Sequence, residues 1–326
     1  MERDQDKRST RFDMLQAQAH FSSSVTAAET QPHNPTNQPG HAQSPIKYQK
    51  SPAAQKDRSR KTLEGPPKTL ELPTNVSTGG LAKTLLIRTC SPWETYKPIF
   101  TCDLAGIVSI SEHRHRGSKV VAIRSSSRMD REDLLHKYTR FDHINIISAS
   151  ECFKDNGVNH YIVDDLPITL EHLVASDAYP SEVQLASILK QVIDGLSYLI
   201  ECGYEHSSLK CSTTLMSLDG VVKIASLEQT VPYTSERSQS LSLKSLGSLT
   251  MELMQKYVKE NVGIDDPARW PVDSNAVDFL SSTTSARSVK ELTKHPLIAA
   301  SCSTGSLVGL ARLAIVSACT FYSYRE

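Results

Sequence analysis

The chain lacks the marks of several large protein classes. Its seven cysteines are odd in number and form no C-x-x-C pair, which argues against a zinc site or a disulfide framework and favours a reducing compartment. Lys plus Arg equals Asp plus Glu, so the net charge is zero. Bulk electrostatics therefore favour neither nucleic acid nor an anionic membrane as a partner.

Long apolar runs are also scarce. The N-terminus, MERDQDKRST, is polar and has no apolar signal core. The longest apolar run, Leu307 to Phe321, has 15 residues and contains Arg312, so it is too short and too charged to cross a bilayer. We expect no membrane span, a helix docked on a core at this end, and a cytoplasmic location.

Residues 1–82 contain little that builds a core. They hold half of the 16 prolines and only three aromatic residues, so we predict a disordered polar arm. Ser44-Pro45 and Ser51-Pro52 resemble proline-directed phosphorylation sites, and Lys56 to Lys61, KDRSRK, resembles a short nuclear signal. Both patterns arise by chance in polar tails, so a solvated arm is the simpler interpretation and a nuclear location the alternative.

From about residue 83 the pattern becomes that of a folded α+β protein. Gly106 to Ser111 and Lys119 to Arg124 have strand composition, and Met129 to Phe141 has acidic residues in the first turn of a helix. Two further strands flank Asn156-Gly157, a strong hairpin signal. The predicted order is strand, strand, helix, strand, strand.

The rest of the chain is predicted to be mainly helical. Ser181 to Gly203 is the clearest helix, because its apolar residues recur at helical spacing between a serine N-cap and a glycine C-cap. Two short strands flank Asp219-Gly220, and Ser240 to Gln255 is a second apolar helix. Shorter helices follow at 274–280, 285–297 and about 307–321.

This order of elements and six short strings resemble the eukaryotic protein-kinase domain over Ser91 to Ile298, loosely its sterile-type serine/threonine group. The strings are VAIR (121–124), HINII (143–147), HSSLK (206–210), VKIASLE (222–228), SLG (245–247) and KELTKHPLI (290–298). The resemblance implies a two-lobed domain over 83–300, with a small β-rich N-lobe at about 91–166 and a helical C-lobe at about 167–300. Residues 301–326 are then a helical extension packed on the C-lobe.

The resemblance also places the groups that phosphoryl transfer requires. Arg124 stands where the family has its phosphate-holding lysine, and Ser208 stands where it has the aspartate that accepts the substrate proton. The two magnesium positions fall on Thr213 and Ser226, which are neutral. A hydroxyl is a poor proton acceptor at neutral pH. We therefore expect no catalytic residue and no metal site.

The phosphate-covering loop is altered as well. Only its third glycine position is kept, as Gly106, while Asp103 falls on the second and is expected to repel phosphate. The glutamate that usually pairs with the lysine falls on Leu134, with Glu132 and Asp133 close by.

The retained positions are mainly apolar. Val108, Ala122 and Leu215 match the residues that enclose adenine, and with Gly106 and Arg124 they form the candidate nucleotide slot. Three further residues match a hydrophobic column that joins the lobes: Tyr138, His206 and Leu227.

The preferred interpretation is a pseudokinase that acts as a binding, scaffold or regulatory module for other proteins, a signalling kinase among them, without a required cofactor. One alternative is an atypical serine/threonine kinase in which Glu132 and Glu228 fill the empty roles. Another is a protein that binds ATP without magnesium. A third is a gene model that misses an exon, because A-P-E is absent and the segment from Glu228 to Ser242 is short.

Overall fold

The computed structural model describes residues 85–115, 117, 119–126, 130–233, 239–299 and 303–320. The predicted arm at 1–82, with its Ser-Pro pairs and basic run, lies outside the described residues, as do 234–238 of the short segment. The strands are β1 Leu86–Arg88, β2 Tyr96–Asp103, β3 Ile107–His113, β4 Val120–Ser125, β5 Ala149–Asp155, β6 Val158–Val163, β7 Ile168–Thr169, β8 Tyr204–His206, β9 Thr214–Met216, β10 Val222–Ile224 and β11 Thr230–Pro232. The helices are α1 Pro92–Thr95, α2 Arg131–Arg140, α3 Leu170–Ala175, α4 Glu182–Glu201, α5 Ser240–Gln255, α6 Asn275–Ser285, α7 Val289–Leu292, α8 Pro296–Ala299 and α9 Val308–Thr320.

The first lobe is a six-stranded sheet in the order β1-β5-β6-β4-β3-β2. Strand β1 runs parallel to β5, and the other pairs are antiparallel. The predicted Asn-Gly turn joins β5 to β6, with φ of 48° at Asn156 and 79° at Gly157. Helix α2 packs on β6 and on a 3₁₀ turn, Leu227–Gln229.

The five predicted elements of this lobe are present in the predicted order, but the prediction omitted β1, α1 and β2. Strand β2 is an edge strand whose residues are mostly exposed, and its ladder is interrupted between Pro98 and Phe100. Such a strand has no alternation of apolar and polar residues, so the pattern that reveals a half-buried strand is missing.

The second lobe is built around α4, whose apolar residues are almost all buried. Its N-terminus has a capping box, since the Gln184 amide donates to Ser181 Oγ while the Gln184 side chain accepts from the Ser181 amide. The helix ends before Gly203, which has a φ of 83°. A β-rich first lobe and a helical second lobe confirm the predicted two-lobed α+β class.

The helix predicted over residues 285–297 was wrong, because that stretch forms two short helices, α7 and α8. Ser288 caps α7 by accepting a hydrogen bond from the Glu291 amide. Pro296 begins α8, and a proline tolerates the first turn of a helix but not its interior. The helices predicted around 274–280 and 307–321 are present as α6 and α9.

Helix α9 packs on α3 and β7 and follows a 3₁₀ turn, Thr304–Leu307, that contacts α4. Leu310, Ala311 and Ala314 bury one face of α9 in the core. None of the helices within the described ranges combines the length and the apolar character needed to cross a membrane.

The two lobes share one apolar core, which runs from Val108 and Ala122 in the sheet to the middle of α4. The loop after α2 is also bonded to the second lobe. The Ile224 amide donates to Asn145 O at 2.8 Å, and the Ile147 amide donates to Ile224 O at 2.9 Å. The candidate site is therefore expected between two lobes that share a core and are joined by backbone hydrogen bonds.

Candidate functional site

The fold brings the predicted residues of the two lobes together at the turn between β2 and β3. Val108 on β3 lies opposite Arg124 on β4 in the antiparallel ladder. Ser226, which follows β10 in the second lobe, donates from Oγ to Ala105 O at 2.8 Å. The turn of residues 103–106 is thus the point where the predicted phosphate loop, Arg124 and Ser226 meet.

Arg124 is turned toward this loop and is only 5% exposed. Its Nη1 donates to Ala105 O at 2.7 Å and its Nη2 donates to Leu104 O at 2.8 Å. The guanidinium group therefore donates to two backbone oxygens of its own chain. Arginine commonly binds the two oxygens of an anion with the same geometry.

The turn has an unusual backbone that directs both carbonyls at Arg124. Ala105 has a φ of 60° and Gly106 a φ of 110°. A Cβ atom at Gly106 would lie 2.8 Å from Arg124 Nη1, so only glycine fits there. Asp103, which the sequence suggested would repel phosphate, accepts a hydrogen bond from the Gly106 amide at 2.8 Å.

The acidic residues near the expected glutamate position are directed elsewhere. Leu134 is buried, whereas Glu132 lies 3.6 Å from Arg131 and Asp133 lies 2.6 Å from Lys137 Nζ. Across the described ranges, no carboxylate lies within 4.0 Å of a nitrogen of this arginine. Both Nη groups of Arg124 consequently donate to backbone oxygens, and its buried Nε has no partner among the described residues.

The Thr213 hydroxyl bonds to the predicted catalytic loop itself, whereas the Ser207 hydroxyl donates to Gln229 O at 2.6 Å. Thr213 Oγ1 lies 3.1 Å from Ser208 O and accepts from the Lys210 amide at 2.9 Å. Ser208 is half-buried, and its amide donates to His206 Nδ1 at 3.3 Å. The Lys210 residue is exposed.

Ser226 adopts a left-handed backbone with a φ of 54°, and the 3₁₀ turn begins directly after it. Leu227 is fully buried, whereas Glu228 is exposed to solvent. The acidic residue that follows the predicted metal position thus faces away from the core.

The residues of the candidate adenine slot are buried. Val108, Ala122 and Leu215 are 2%, 3% and 2% exposed, respectively. Leu104 and Ala105 belong to the same buried cluster. The apolar surfaces that would enclose a flat ring are therefore packed against the protein.

The hydrophobic column is buried as well. Tyr138 packs against Tyr161 with ring centroids 4.6 Å apart and ring planes inclined by 34°. His206 Nε2 lies 2.9 Å from Ala225 O, and burial lowers the pKa of His206 to about 4. Because His206 Nδ1 accepts from the Ser208 amide, the neutral ring carries its proton on Nε2 and donates it to Ala225 O.

Three contributions to this region were not predicted. The buried Lys137 donates to Thr230 O at 2.8 Å, and Ser242 Oγ donates to the buried carboxylate of Glu205 at 2.8 Å. The third contribution is the pair of carbonyls of Leu104 and Ala105. The burial of Lys137 could have been predicted from the sequence, because it shares the inner face of α2 with Leu134. The contact of a backbone carbonyl could not have been predicted in this way.

Within the described residues, no three histidine, cysteine or carboxylate side chains are grouped so as to hold a metal ion. A separate groove of about 690 Å³ lies between α5 and α6, lined by Leu243, Met251 and Thr283 among others. None of the predicted site residues lines this groove.

Comparison with known proteins finds partial likenesses to protein kinases. The chain is 35% identical over 88 residues to mitogen-activated protein kinase kinase kinase 9 of Arabidopsis thaliana, covering 27% of the chain and 11% of the relative. It is 29% identical over 125 residues to cyclin-dependent kinase 12 of Drosophila melanogaster, covering 35% and 10%. It is 26% identical over 199 residues to probable serine/threonine-protein kinase mkcB of Dictyostelium discoideum, covering 48% and 28%.

The chain thus spans less than a third of the length of each of these relatives. No family model matches it. The two-lobed fold and these likenesses together support a protein of the kinase-like superfamily.

Proposed function

We propose that the protein is a pseudokinase, a kinase-like module that transfers no phosphate and acts by binding other proteins. The proposal rests on the absence of charge at Ser208, Thr213 and Ser226, the three positions where the kinase family has its catalytic and metal-binding residues. Each is neutral, and the hydroxyls of Thr213 and Ser226 bond to backbone oxygens. Phosphoryl transfer depends on neutralising charge and orienting the nucleophile, and none of these side chains supplies a charge.

Magnesium and ATP do not fit the residues present. Magnesium binds through carboxylates and phosphate oxygens, whereas the two positions expected to hold it are Thr213 and Ser226. The phosphates would need Arg124, whose two Nη groups already donate to backbone oxygens. No reaction step through a bound nucleotide is therefore proposed.

The inactive state is tested by incubating the full chain with radiolabelled ATP, magnesium or manganese, and a generic protein substrate. We expect no phosphate incorporation above that of the Arg124→Ala variant. Turnover by the natural chain that disappears in Arg124→Ala would overturn the proposal.

An atypical kinase is the second candidate, and it requires Glu132 and Glu228 to move into the empty roles. Both are exposed, and Glu132 lies beside Arg131. A loss of turnover in Glu228→Gln, with turnover retained in the exposed control Glu291→Gln, would favour this candidate.

The proposed partners are other proteins, including a signalling kinase. The proposed location is cytoplasmic or nuclear. The likeness to the sterile-type group stays a prediction. Affinity purification of the full chain should yield a partner in stoichiometric amount, with retention unaffected by ATP. Retention that requires ATP would instead favour a nucleotide-binding protein.

A further inference from the structure

We propose that the turn of residues 103–106 is the protein's own ligand for its cleft, an intramolecular plug that takes the place of a nucleotide. This inference rests on the proposed function and explains how a kinase-like cleft stays closed without ATP. The plug has a polar part, formed by the carbonyls of Leu104 and Ala105, and an apolar part, formed by their side chains.

The polar part engages both Nη groups of the cation that would otherwise attract phosphate, whereas the buried Nε of Arg124 has no hydrogen-bond partner among the described residues. Arg124 presents its two Nη groups to the oxygens of Leu104 and Ala105 at 2.8 Å and 2.7 Å. Two oxygens held side by side are what a guanidinium fork binds in a phosphate. Since only 5% of Arg124 is exposed, no open face of this side chain remains for a ligand.

The same part of the turn also reaches the second lobe. Ala105 O accepts from Arg124 Nη1 at 2.7 Å and from Ser226 Oγ at 2.8 Å, and a carbonyl oxygen has two lone pairs for this purpose. One oxygen therefore joins β4, the β2–β3 turn and the segment after β10.

The side chains of the apolar part are buried as well. Leu104 is 8% exposed and Ala105 is 4% exposed, in one cluster with Val108 and Leu215. A nucleotide whose phosphates reached Arg124 would have to displace the three hydrogen bonds that the turn makes with Arg124 and Ser226.

The turn is also bonded internally. The Leu104 amide donates to Gly106 O at 3.0 Å, and the Gly106 amide donates to the Asp103 carboxylate. The positive φ of Ala105 is disfavoured for a residue with a side chain, so the three contacts to Arg124 and Ser226 must hold it. A free loop would relax away from this conformation.

The first test is amide hydrogen exchange on the natural full chain. We expect the amides of Leu104 and Gly106 to exchange at least about 100-fold more slowly than those of the exposed loop 258–262, with or without ATP. Equal exchange rates in the two segments, or protection that appears only when ATP is added, would overturn the plug.

The second test opens the cleft with the double variant Arg124→Lys/Ser226→Ala. A lysine ammonium cannot hold two carbonyls as a fork does, and alanine removes the bond to the second lobe. The matched control is Arg114→Lys/Ser285→Ala, because both side chains are exposed and also donate to backbone carbonyls. Exchange at Leu104 and Gly106 should rise about tenfold or more in the first variant only.

The opened variant should also bind a fluorescent ATP analogue without magnesium at least about tenfold more tightly than the natural chain and the control. Equal affinity in all three proteins contradicts the plug, as does an opened turn with no binding. Should the double variant fail to fold by circular dichroism, the exchange test on the natural chain decides.

The plug and the proposed function can fail separately. If the amides of the turn exchange fast and the natural chain transfers no phosphate, only the plug is rejected. If the natural chain transfers phosphate, the proposed function is rejected.

Discussion

The Ser226 residue illustrates what a neutral side chain achieves at the scale of one residue. It is 5% exposed, and a carboxylate so deeply buried without a metal would be costly to desolvate. A hydroxyl can instead donate to Ala105 O, a bond that contributes about 0.5–1.5 kcal/mol. A serine therefore suits this buried position better than an acidic residue would.

His206 gives a prediction about pH at this same scale. Burial lowers its pKa to about 4 from an ordinary 6.5, so the unfolded chain binds the proton first as the pH falls. The stabilisation by the neutral ring is complete above pH 6.5 and is lost as the pH falls toward 4. We expect the free energy of unfolding to fall by about 2 kcal/mol between pH 7 and pH 5 through this residue.

Urea unfolding of the natural chain and of His206→Gln at the two pH values measures this contribution. The variant should be less stable at pH 7 but lose less on acidification, while the exposed control His136→Gln should behave as the natural chain does. His143, His160 and His172 also have pKa values lowered by burial, so some pH dependence should remain. Identical losses in His206→Gln and the natural chain would exclude the assigned role.

At the scale of elements, the turn between β9 and β10 is built to receive the C-terminal segment. Gly220 has a φ of 82°, and a Cβ atom there would lie 2.1 Å from Thr304 O and 2.9 Å from Leu307 Cβ. The hairpin and the 3₁₀ turn before α9 therefore approach more closely than any side chain at 220 allows. Helix α9 keeps its place through this contact and through its buried face.

A pair of glycine substitutions tests this docking. Gly157 has a similar φ of 79°, but the atom nearest to its added Cβ is 3.5 Å away. Gly157→Ala should cost only backbone strain, about 1–2 kcal/mol, whereas Gly220→Ala should cost roughly 2 kcal/mol more through the clash. Thermal unfolding gives the difference, and limited proteolysis near residue 303 should accelerate only in Gly220→Ala. Equal destabilisation by both substitutions would argue against close docking.

On the scale of the whole molecule, the lobes are joined by apolar packing and by one ion pair beside their connection. Asp164 follows the last strand of the first lobe and lies 3.0 Å from Lys223 Nζ on β10. It also accepts from the Ser148 amide at 2.8 Å. The carboxylate thus ties the connecting segment to both lobes.

Replacing Lys223 with methionine should therefore cost about 1–2 kcal/mol of unfolding free energy, because the pair is partly buried and Asp164 would lose its cation. The control Lys190→Met removes an exposed pair with a separation of 3.9 Å and should cost at most about 0.5 kcal/mol. Urea unfolding at low and high salt measures both. A Lys223→Met cost no larger than that of the control, or abolished by salt, would contradict a structural role for the pair.

The sequence by itself determined the parts that depend on local chemistry. Several elements were predictable, because caps, turns and helical periodicity depend on residues that are close in the sequence. These elements are the capped helix α4, the Asn-Gly and Asp-Gly hairpins and the apolar helix α5. The neutral side chains at Ser208, Thr213 and Ser226 were visible for the same reason. Only the tertiary structure decided what those side chains and Arg124 bind, since their acceptors are backbone carbonyls. Every residue has such a carbonyl, so the approach of Leu104 and Ala105 to Arg124 leaves no mark in the sequence and follows from how distant segments fold together.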